Sequence, residues 1–382
     1  MIATTGHTPA HVHDRGTRRR QVVCYTVGGT AAPSGHQDVT RRRIAGQIAD
    51  LLGYEAGGEY THAAHEQDTC PYFVPDRTLT LTHAERALGI ASEADLYGGV
   101  VPQAHVATKI ITHPLLGNEA DAPEGWSREF GAHIAEAVLP GYSAFTIADA
   151  RRAALLLLQH GPVRIKRACE TGGRGQFVAT AAREVDIVLA GLDAVEIARD
   201  GIVLEQNLEA LDTFSVGQLR VGPWRASYYG VQHLTQDHHG ASVYGGSTLL
   251  VVRGDYDALL ERALDRCARI AIEQARCYDR AAGICFPGFY ASRRNYDVAQ
   301  GVDASGRMRA GVLEQSWRIG GASSAEVCAL EVFAADPERQ AVIAAATEVY
   351  GPCAVPQATR LYYQGEDPQV GPISKYVLVH PL

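Results

Sequence analysis

The most informative stretch of the sequence reads Pro162-Val-Arg-Ile-Lys166-Arg-Ala-Cys-Glu-Thr-Gly172-Gly173-Arg174-Gly175-Gln176-Phe-Val-Ala179. A short apolar strand carries Lys166, a loop with three glycines follows, and a second short strand closes a hairpin. Glycines let backbone N–H groups approach phosphate oxygens, and an ammonium on the strand meets their charge from another side. Because the lysine precedes the glycines, this is not a Walker A loop. The pattern indicates either a phosphate-binding hairpin or an ordinary glycine-rich turn.

Lysine is scarce in this chain, which adds weight to the lysine of the hairpin. Of the 35 lysines and arginines, only Lys109, Lys166 and Lys375 are lysine. A GC-rich coding bias explains arginine wherever only a positive charge is needed. A lysine that persists marks a place that requires a compact ammonium on a flexible stem, which arginine does not supply.

The composition is that of an ordinary globular chain, with 382 residues, 46% of them hydrophobic and 20% charged. The net charge of −8 argues against a nucleic-acid partner, because phosphate backbones are bound by basic surfaces. The eight cysteines form no CxxC pair, so we expect a reducing, cytoplasmic setting. No apolar run predicts a membrane span or a secretion signal.

Changes in composition divide the chain into four parts. We expect a disordered tail at residues 1–20, an N-terminal α/β domain at 21–115, a small α+β unit at 116–208 and an α+β unit at 209–382. The last part contains a helix predicted at Tyr256–Asp279. It also contains His233–Gly240, which is either a polar hairpin loop or, less favoured, a substrate contact or a transition-metal site. The predicted fold class is α/β combined with α+β.

Two acidic residues form a candidate cation site. Arg293-Arg294-Asn295-Tyr296-Asp297 precedes a turn, and Gly311-Val-Leu-Glu314-Gln315-Ser316-Trp317-Arg318 follows that turn. Carboxylates on neighbouring antiparallel strands can share a Mg²⁺ ion that bridges substrate phosphates. The alternative is that Asp297 and Glu314 form salt bridges with the nearby arginines.

A further segment, Ile202-Val-Leu-Glu205-Gln206-Asn207-Leu208-Glu209, begins as an apolar strand and continues with alternating polar and apolar positions. Such a hinge can present backbone groups to an adenine edge and carboxylates to a ribose. The segment starts about 40 residues after the lysine of the hairpin.

Taken in order, these segments resemble an ATP-grasp enzyme over residues 105–320, with spacing similar to the biotin carboxylase branch. The whole chain also resembles a bacterial ATP-grasp-like family without an established function. The resemblance implies a three-part fold that holds ATP between the middle and C-terminal units. The ATP contacts that it implies are Lys109, Lys166, Gly172, Gly173, Arg174, Gly175, Glu205, Gln206 and Leu208. It implies metal contacts at Asp297, Glu314 and Ser316, and we expect Arg294 or Arg318 to stabilise the transferred phosphoryl group.

The sequence departs from the ATP-grasp pattern at two positions. Ser316 stands where the pattern has an asparagine, a better neutral oxygen donor, and Gln206 stands where many relatives have lysine. We expect a ligase that uses ATP and Mg²⁺, with Mn²⁺ as the alternative ion. It would join a small-molecule carboxylate to an amine or thiol through an acyl phosphate.

Two other functions stay open at this point. One is a nucleotide-binding sensor that has lost catalysis, which the serine at position 316 favours. The other, weaker alternative is a carboxylase related to biotin carboxylase. Neither nucleic acid nor a membrane is expected as a partner, and a homo-oligomer is compatible with the sequence.

Overall fold

A computed structural model describes residues 19–29, 35–62, 69–170 and 175–382. The strands of these residues form four β-sheets, on which the helices pack. The disordered tail predicted at residues 1–20 is wrong for Arg19 and Arg20, which belong to the first strand. Residues 1–18 lie outside the described residues.

The first unit is a three-stranded parallel sheet, in which β1 (Arg19–Tyr25) lies between β2 (Glu55–Glu59) and β3 (Thr69–Pro75). Helix α1 (His36–Leu52) packs its apolar side on β1 and ends at Gly53, whose φ of 66° is the left-handed geometry that terminates helices. A small sheet of β4 (Leu79–Thr80), β5 (Gly99–Val101) and β13 (Tyr290–Ala291) follows, with helix α2 (Leu81–Leu88) beside it. These parallel strands and helices have the α/β character expected for this part of the chain.

Two short 3-10 helices, Ala104–Ala107 and Lys109–Thr112, and helix α3 (Arg128–His133) lead into the second unit. This unit is an antiparallel sheet in the order β6–β9–β7–β8. Its strands are β6 (Gly141–Ala144), β7 (Val163–Arg167), β8 (Gln176–Ala179) and β9 (Ile202–Gln206). Helices α4 (Ile147–Leu157), α5 (Ala182–Ala190) and α6 (Ala194–Asp200) share one hydrophobic core with it.

Side-chain alternation in this sheet positions the lysine of the hairpin. Val163 and Ile165 point into the core beneath the helices, so Lys166 lies on the opposite face. Residues Val163 to Lys166 pair with residues Gln176 to Ala179, which confirms the predicted hairpin.

The third unit is an eight-stranded antiparallel sheet in the order β15–β14–β10–β11–β12–β16–β18–β17. Its strands are β10 (Glu209–Val221), β11 (Trp224–Gln236), β12 (Ser242–Arg253), β14 (Arg293–Val302), β15 (Met308–Ser316), β16 (Ala341–Tyr350), β17 (Arg360–Asp367) and β18 (Gly371–Pro381). Helices α7 (Tyr256–Leu260) and α8 (Arg266–Cys285) pack with one hydrophobic core. Helix α9 (Ser323–Ala335) packs with a second core, which it shares with α1.

Two predictions about the third unit have clear outcomes. The single helix predicted at Tyr256–Asp279 is wrong, because the side chains of Asp255 and Asp265 each cap the start of a separate helix. The hairpin predicted at His233–Gly240 is confirmed, but its loop is shorter than predicted. Residues 233–236 belong to β11 and pair with β12, so the loop comprises only the residues between Gln236 and Ser242. Within the described ranges, no group of three or more His, Cys, Asp or Glu side chains is arranged to hold a metal.

The predicted fold class, α/β combined with α+β, is confirmed by the parallel first sheet and the two antiparallel sheets that follow. In the part of the chain that the structure describes, no helix is both long enough and apolar enough to cross a membrane.

Candidate functional site

Lys166 and Glu205 form a buried ion pair on the second sheet. The Lys166 Nζ atom lies 2.5 Å from Glu205 Oε1, and the two side chains are only 4% and 1% exposed. His113 Nε2 lies 3.1 Å from the other oxygen, Glu205 Oε2. Burial alone would raise the pKa of Glu205, but Lys166 and His113 lower that pKa to about 2. The carboxylate therefore stays ionised and holds the ammonium in place.

Lys109 connects the second unit to the large sheet. Its Nζ atom lies 2.6 Å from Glu314 Oε2 and donates a hydrogen bond of 2.7 Å to the backbone oxygen of Glu170. Glu170 belongs to the loop that follows β7, and Glu314 lies on β15. One nearly buried ammonium thus joins the loop after the hairpin strand to an acidic strand of the third unit.

Asp297 and Glu314 face each other on neighbouring strands. They are direct partners in the register of β14 and β15, which confirms the predicted placement on adjacent antiparallel strands. Asp297 Oδ1 accepts hydrogen bonds from Asn295 Nδ2 at 2.9 Å and from Gln232 Nε2 at 2.8 Å. Burial and the charge of Glu314 together raise the pKa of Asp297 to about 6. The predicted alternative, salt bridges to arginines, is wrong for the described residues, because the partner of Glu314 is Lys109.

This carboxylate pair has the donor set for one divalent cation. Among the described residues, neither Asp297 Oδ2 nor Glu314 Oε1 has a hydrogen-bond or ion-pair partner. Like charges directly opposite each other on a sheet repel, and a divalent cation between them would relieve that repulsion. Mg²⁺ is commonly held by one or two carboxylates together with substrate phosphates, so the two oxygens fit that ion.

Ser316 accepts hydrogen bonds from an arginine side chain. Arg293 Nη1 donates to the Ser316 backbone oxygen at 3.0 Å, to Ser316 Oγ at 3.3 Å and to the Arg318 backbone oxygen at 2.6 Å. The residues Arg293, Asn295 and Asp297 alternate with others along β14 and therefore share one face. Ser316 thus lies on the same face as the carboxylates but is engaged by a cationic side chain.

The arginine is fixed in turn by a buried glutamate. Glu326 of α9 lies 2.7 Å from Arg293 Nη2, and the two side chains are 0% and 1% exposed. The hydroxyls of Tyr97 and Tyr228 donate to Glu326 at 2.6 and 2.7 Å. A buried charge pair keeps its geometry only when its remaining hydrogen-bonding sites are satisfied, as they are here.

The two arginines predicted for catalysis lie in different places. Arg318 is half-buried, and in the described ranges its guanidinium donates to Ile319 O at 2.8 Å and has no carboxylate partner. Arg294 lies on the opposite face of β14 from Asp297 and pairs with Asp279 of α8 at 3.2 Å. Burial lowers the pKa of Arg318, and the nearby charges of Glu314 and Asp297 oppose that shift, so Arg318 lies on the side of the carboxylates. Arg294 does not, because strand residues three positions apart point to opposite faces.

The hinge residues at the end of β9 and just after it supply a polar group and an apolar surface. Gln206 is buried, and its Oε1 atom has no hydrogen-bond partner among the described residues. A buried acceptor without a partner is costly and points to a missing donor. Leu208 packs with Leu139, Ala299 and Leu313 in a small apolar cluster.

The glycine loop of the hairpin is only partly described. Gly172, Gly173 and Arg174 lie outside the described residues. Gly175 has a φ of +61°, and a Cβ atom there would lie 2.8 Å from Glu170 Cγ, so glycine suits this position on both counts.

Several residues of the site were not found from the sequence. Arg293 and Asn295 could have been found, since their i, i+2, i+4 spacing with Asp297 places all three on one strand face. His113 and Glu326 come from distant segments, and nothing in their local sequence signals a contact with the site.

The sequence matches a family model described as "Protein of unknown function (DUF3182)" over residues 24–377. The chain belongs to this family. A search of curated proteins finds no match.

Three solved structures are similar at low identity. D-alanyl-alanine synthetase A from Vibrio cholerae has 10% identity and a TM-score of 0.42, covering 79% of this chain and 89% of its own. Phosphoribosylamine–glycine ligase from Thermotoga maritima has 11% identity and a TM-score of 0.47, covering 95% and 92%. The macrocyclase MdnC from Microcystis aeruginosa, bound to precursor peptide MdnA, has 10% identity and a TM-score of 0.33, covering 77% and 90%. At such identities and scores, these likenesses carry no conclusion about the reaction of this DUF3182 member.

Proposed function

We propose that this chain is an ATP-grasp-type ligase that uses ATP and Mg²⁺ to join a small-molecule carboxylate to an amine or a thiol. The observation that carries the proposal is the contact of Lys109 with both Glu314 and the loop after β7. This contact joins Lys109 to Glu314, which faces Asp297 on the neighbouring strand, and to the loop that follows the strand of Lys166. Phosphoryl transfer from a nucleotide requires cations and metal-binding carboxylates in such a combination.

The hinge suits the adenine end of the nucleotide. Gln206 Oε1, which has no partner among the described residues, would accept a hydrogen bond from the exocyclic amine of adenine. The apolar cluster around Leu208 provides a surface for the flat base.

The two lysines suit the phosphate end. An ammonium has three N–H donors, and among the described residues Glu205 is the only partner of Lys166, so further donors remain for phosphate oxygens. Lys109 makes two contacts and keeps one donor. Of the predicted ATP contacts, Gly172, Gly173 and Arg174 stay predictions, because they lie outside the described residues.

Asp297 and Glu314 would hold the divalent cation through Oδ2 and Oε1, the two oxygens that have no partner among the described residues. When bound, the cation would neutralise phosphate charge and orient the γ-phosphate for attack. Arg318, which has no carboxylate partner in the described ranges, is placed to balance charge on the transferred group.

The reaction would have two steps. First, an oxygen of the substrate carboxylate attacks the γ-phosphorus of ATP, the bond to the β-phosphate oxygen breaks, and ADP leaves. Then the amine or thiol attacks the acyl carbon, inorganic phosphate leaves, and the nucleophile gives up a proton. The chain contributes positioning and electrostatic stabilisation, so no side-chain nucleophile is needed.

A nucleotide sensor without catalysis is the second candidate. The hydrogen bond from Arg293 to Ser316 Oγ favours it, because it engages the hydroxyl at the position of a metal ligand. The narrower resemblance to the biotin carboxylase branch stays a prediction, as do a cytoplasmic location and a homo-oligomer.

The test is release of ADP from ATP and Mg²⁺ in the presence of pooled carboxylates with pooled amines or thiols. The ligase predicts ADP release that needs one carboxylate pool and is lost in Asp297→Asn. An exposed glutamate of α8, changed in Glu273→Gln, serves as the matched control and is expected to leave the rate unchanged. Normal ATP binding without ADP release in any pool would favour the sensor.

A further inference from the structure

We propose that this site takes a single divalent cation and that Arg293, fixed by Glu326, supplies the positive charge that a second cation would otherwise bring. The inference rests on the proposed function, because the cation is expected to bind together with a nucleotide. It assigns a role in the site to a buried ion pair, Arg293 with Glu326, that sequence analysis did not find.

The carboxylate oxygens that remain available are enough for one ion. Asp297 uses Oδ1 to accept two amide hydrogens, from Asn295 and Gln232. Glu314 uses Oε2 to hold the Lys109 ammonium at 2.6 Å. In the described part of the chain, each carboxylate thus keeps one oxygen without a protein partner. One carboxylate oxygen from each of two adjacent strands can coordinate a cation between the strands. The nucleotide phosphates would complete the coordination shell of that cation.

Ser316, the further metal contact that the resemblance implies, lies against a permanent positive charge. Arg293 Nη1 lies 3.3 Å from Ser316 Oγ. A cation bound to that hydroxyl would lie close to the guanidinium, and two positive charges at such a distance in a partly buried site repel strongly. Arginine does not lose its proton in proteins, so the repulsion cannot be relieved by titration.

The arginine is not able to move away from this position easily. Its Nη2 atom lies 2.7 Å from Glu326 Oε1, and its Nη1 atom also binds the backbone oxygens of Ser316 and Arg318. The tyrosine hydroxyls on Glu326 come from the first unit and from β11, so three parts of the fold share the contact. Moving the guanidinium would leave a buried carboxylate unpaired, which is strongly unfavourable.

The experiment counts Mn²⁺ ions in the complex of the full chain with a non-hydrolysable ATP analogue, adenylyl imidodiphosphate. Nucleotide binding is measured first by calorimetry, and bound Mn²⁺ is then titrated by electron paramagnetic resonance. We expect one Mn²⁺ per chain and no dipolar coupling between ions. Asp297→Asn is expected to weaken Mn²⁺ binding by about tenfold or more. Glu273→Gln, on the exposed side of α8, is the matched control and should change nothing.

Two variants at position 316 distinguish the role of the serine in metal binding from that of Arg293. Ser316→Ala is expected to keep one Mn²⁺ with affinity within about twofold of the unchanged chain, because the hydroxyl is not a ligand. Ser316→Asn offers a better oxygen donor while Arg293 stays, and it is still expected to bind one ion, because the positive charge remains.

Three results would overturn the inference. Two coupled Mn²⁺ ions in the unchanged chain would show that Arg293 does not exclude the second ion. A tenfold loss of affinity in Ser316→Ala would make Ser316 a ligand, and a second ion in Ser316→Asn would remove the role of Arg293. Absence of nucleotide binding in the calorimetric step would overturn the proposed function as well, and it is seen before any metal is counted.

Discussion

The Lys109 ammonium lies 2.6 Å from Glu314 Oε2 while it also donates to the backbone oxygen of Glu170. A side chain that precedes the second unit therefore holds that unit's hairpin loop close to the acidic edge of the large sheet. The contact brings the hairpin that we propose to bind the nucleotide close to the strand pair that we propose to bind the cation. Its removal is expected to affect ligand binding more than folding.

Lys109→Gln is expected to weaken ATP binding by about tenfold or more, because a charge-assisted contact to phosphate is lost. Lys375→Gln is the matched control. Lys375 also pairs with a glutamate, Glu348, at 2.8 Å, but on β18 and β16 of the large sheet, and its loss should change ATP affinity less than about twofold. Calorimetry with ATP and Mg²⁺ measures both. Equal losses in the two variants would contradict a specific role for Lys109.

Lys166→Arg is expected to impair ATP binding nearly as much as Lys166→Ala, by about tenfold or more. The ammonium is 4% exposed and fills a compact space beside Glu205, and a planar guanidinium with a larger head does not fit the same contacts. The dissociation constants of ATP for the unchanged chain and for the two variants test this expectation. Near-normal ATP affinity in Lys166→Arg would contradict the inference that this position requires a lysine.

Glu205→Gln is expected to lower the free energy of unfolding at pH 7 by about 3 to 5 kcal/mol, because it leaves a buried ammonium without its counter-charge. The pKa of Glu205 is lowered to about 2, so its stabilising contribution is present above the unfolded pKa of about 4.3. That contribution is lost as the pH falls through about 2. Urea unfolding of both proteins between pH 7 and pH 3 should show the gap narrowing below about pH 4.3, and a gap independent of pH would contradict the assignment.

Asp297→Asn is expected to stabilise the metal-free chain at pH 7 by about 1 to 2 kcal/mol. The pKa of Asp297 is raised to about 6, so its protonated form is favoured by folding, and this contribution is lost as the pH rises through about 6. The partial exposure of the side chain keeps the effect modest. Thermal unfolding in EDTA at pH 5 and pH 7 checks the sign, and a variant that is less stable at pH 7 would contradict it.

Arg318→Ala is expected to lower ADP release by about a hundredfold with a smaller effect on ATP affinity, because the loss falls on charge that develops during transfer. Arg294→Ala should stay within about threefold, since Arg294 lies on the other face of β14 beside Asp279. Steady-state kinetics with the active carboxylate pool separates the two arginines. A larger effect from Arg294 would reverse their assignment.

Local features of the site could be predicted from the sequence. The hairpin around Lys166 follows from two short apolar runs and a glycine-rich loop, and Asp297 and Glu314 follow from two strands joined by a tight turn. These features depend on residues close together in the chain, where strand alternation and turn composition give direct signals.

Long-range partners could not be predicted in this way. His113 reaches Glu205 across 92 positions, and Tyr97 reaches Glu326 across 229 positions. Such contacts depend on how whole sheets and helices pack, which no local pattern records. The expected role of Arg294 is a different case, because the strand alternation that places Arg293, Asn295 and Asp297 on one face also places Arg294 on the other.

The central claim is that Lys109, Lys166 and the pair of Asp297 with Glu314 form one site for ATP and a divalent cation. Calorimetric titration of ATP into the full chain, in Mg²⁺ and in EDTA, tests it most directly. We predict one ATP per chain, bound at least about tenfold more tightly in Mg²⁺ than in EDTA. Absence of ATP binding in both conditions, or the same affinity in both, would contradict the claim.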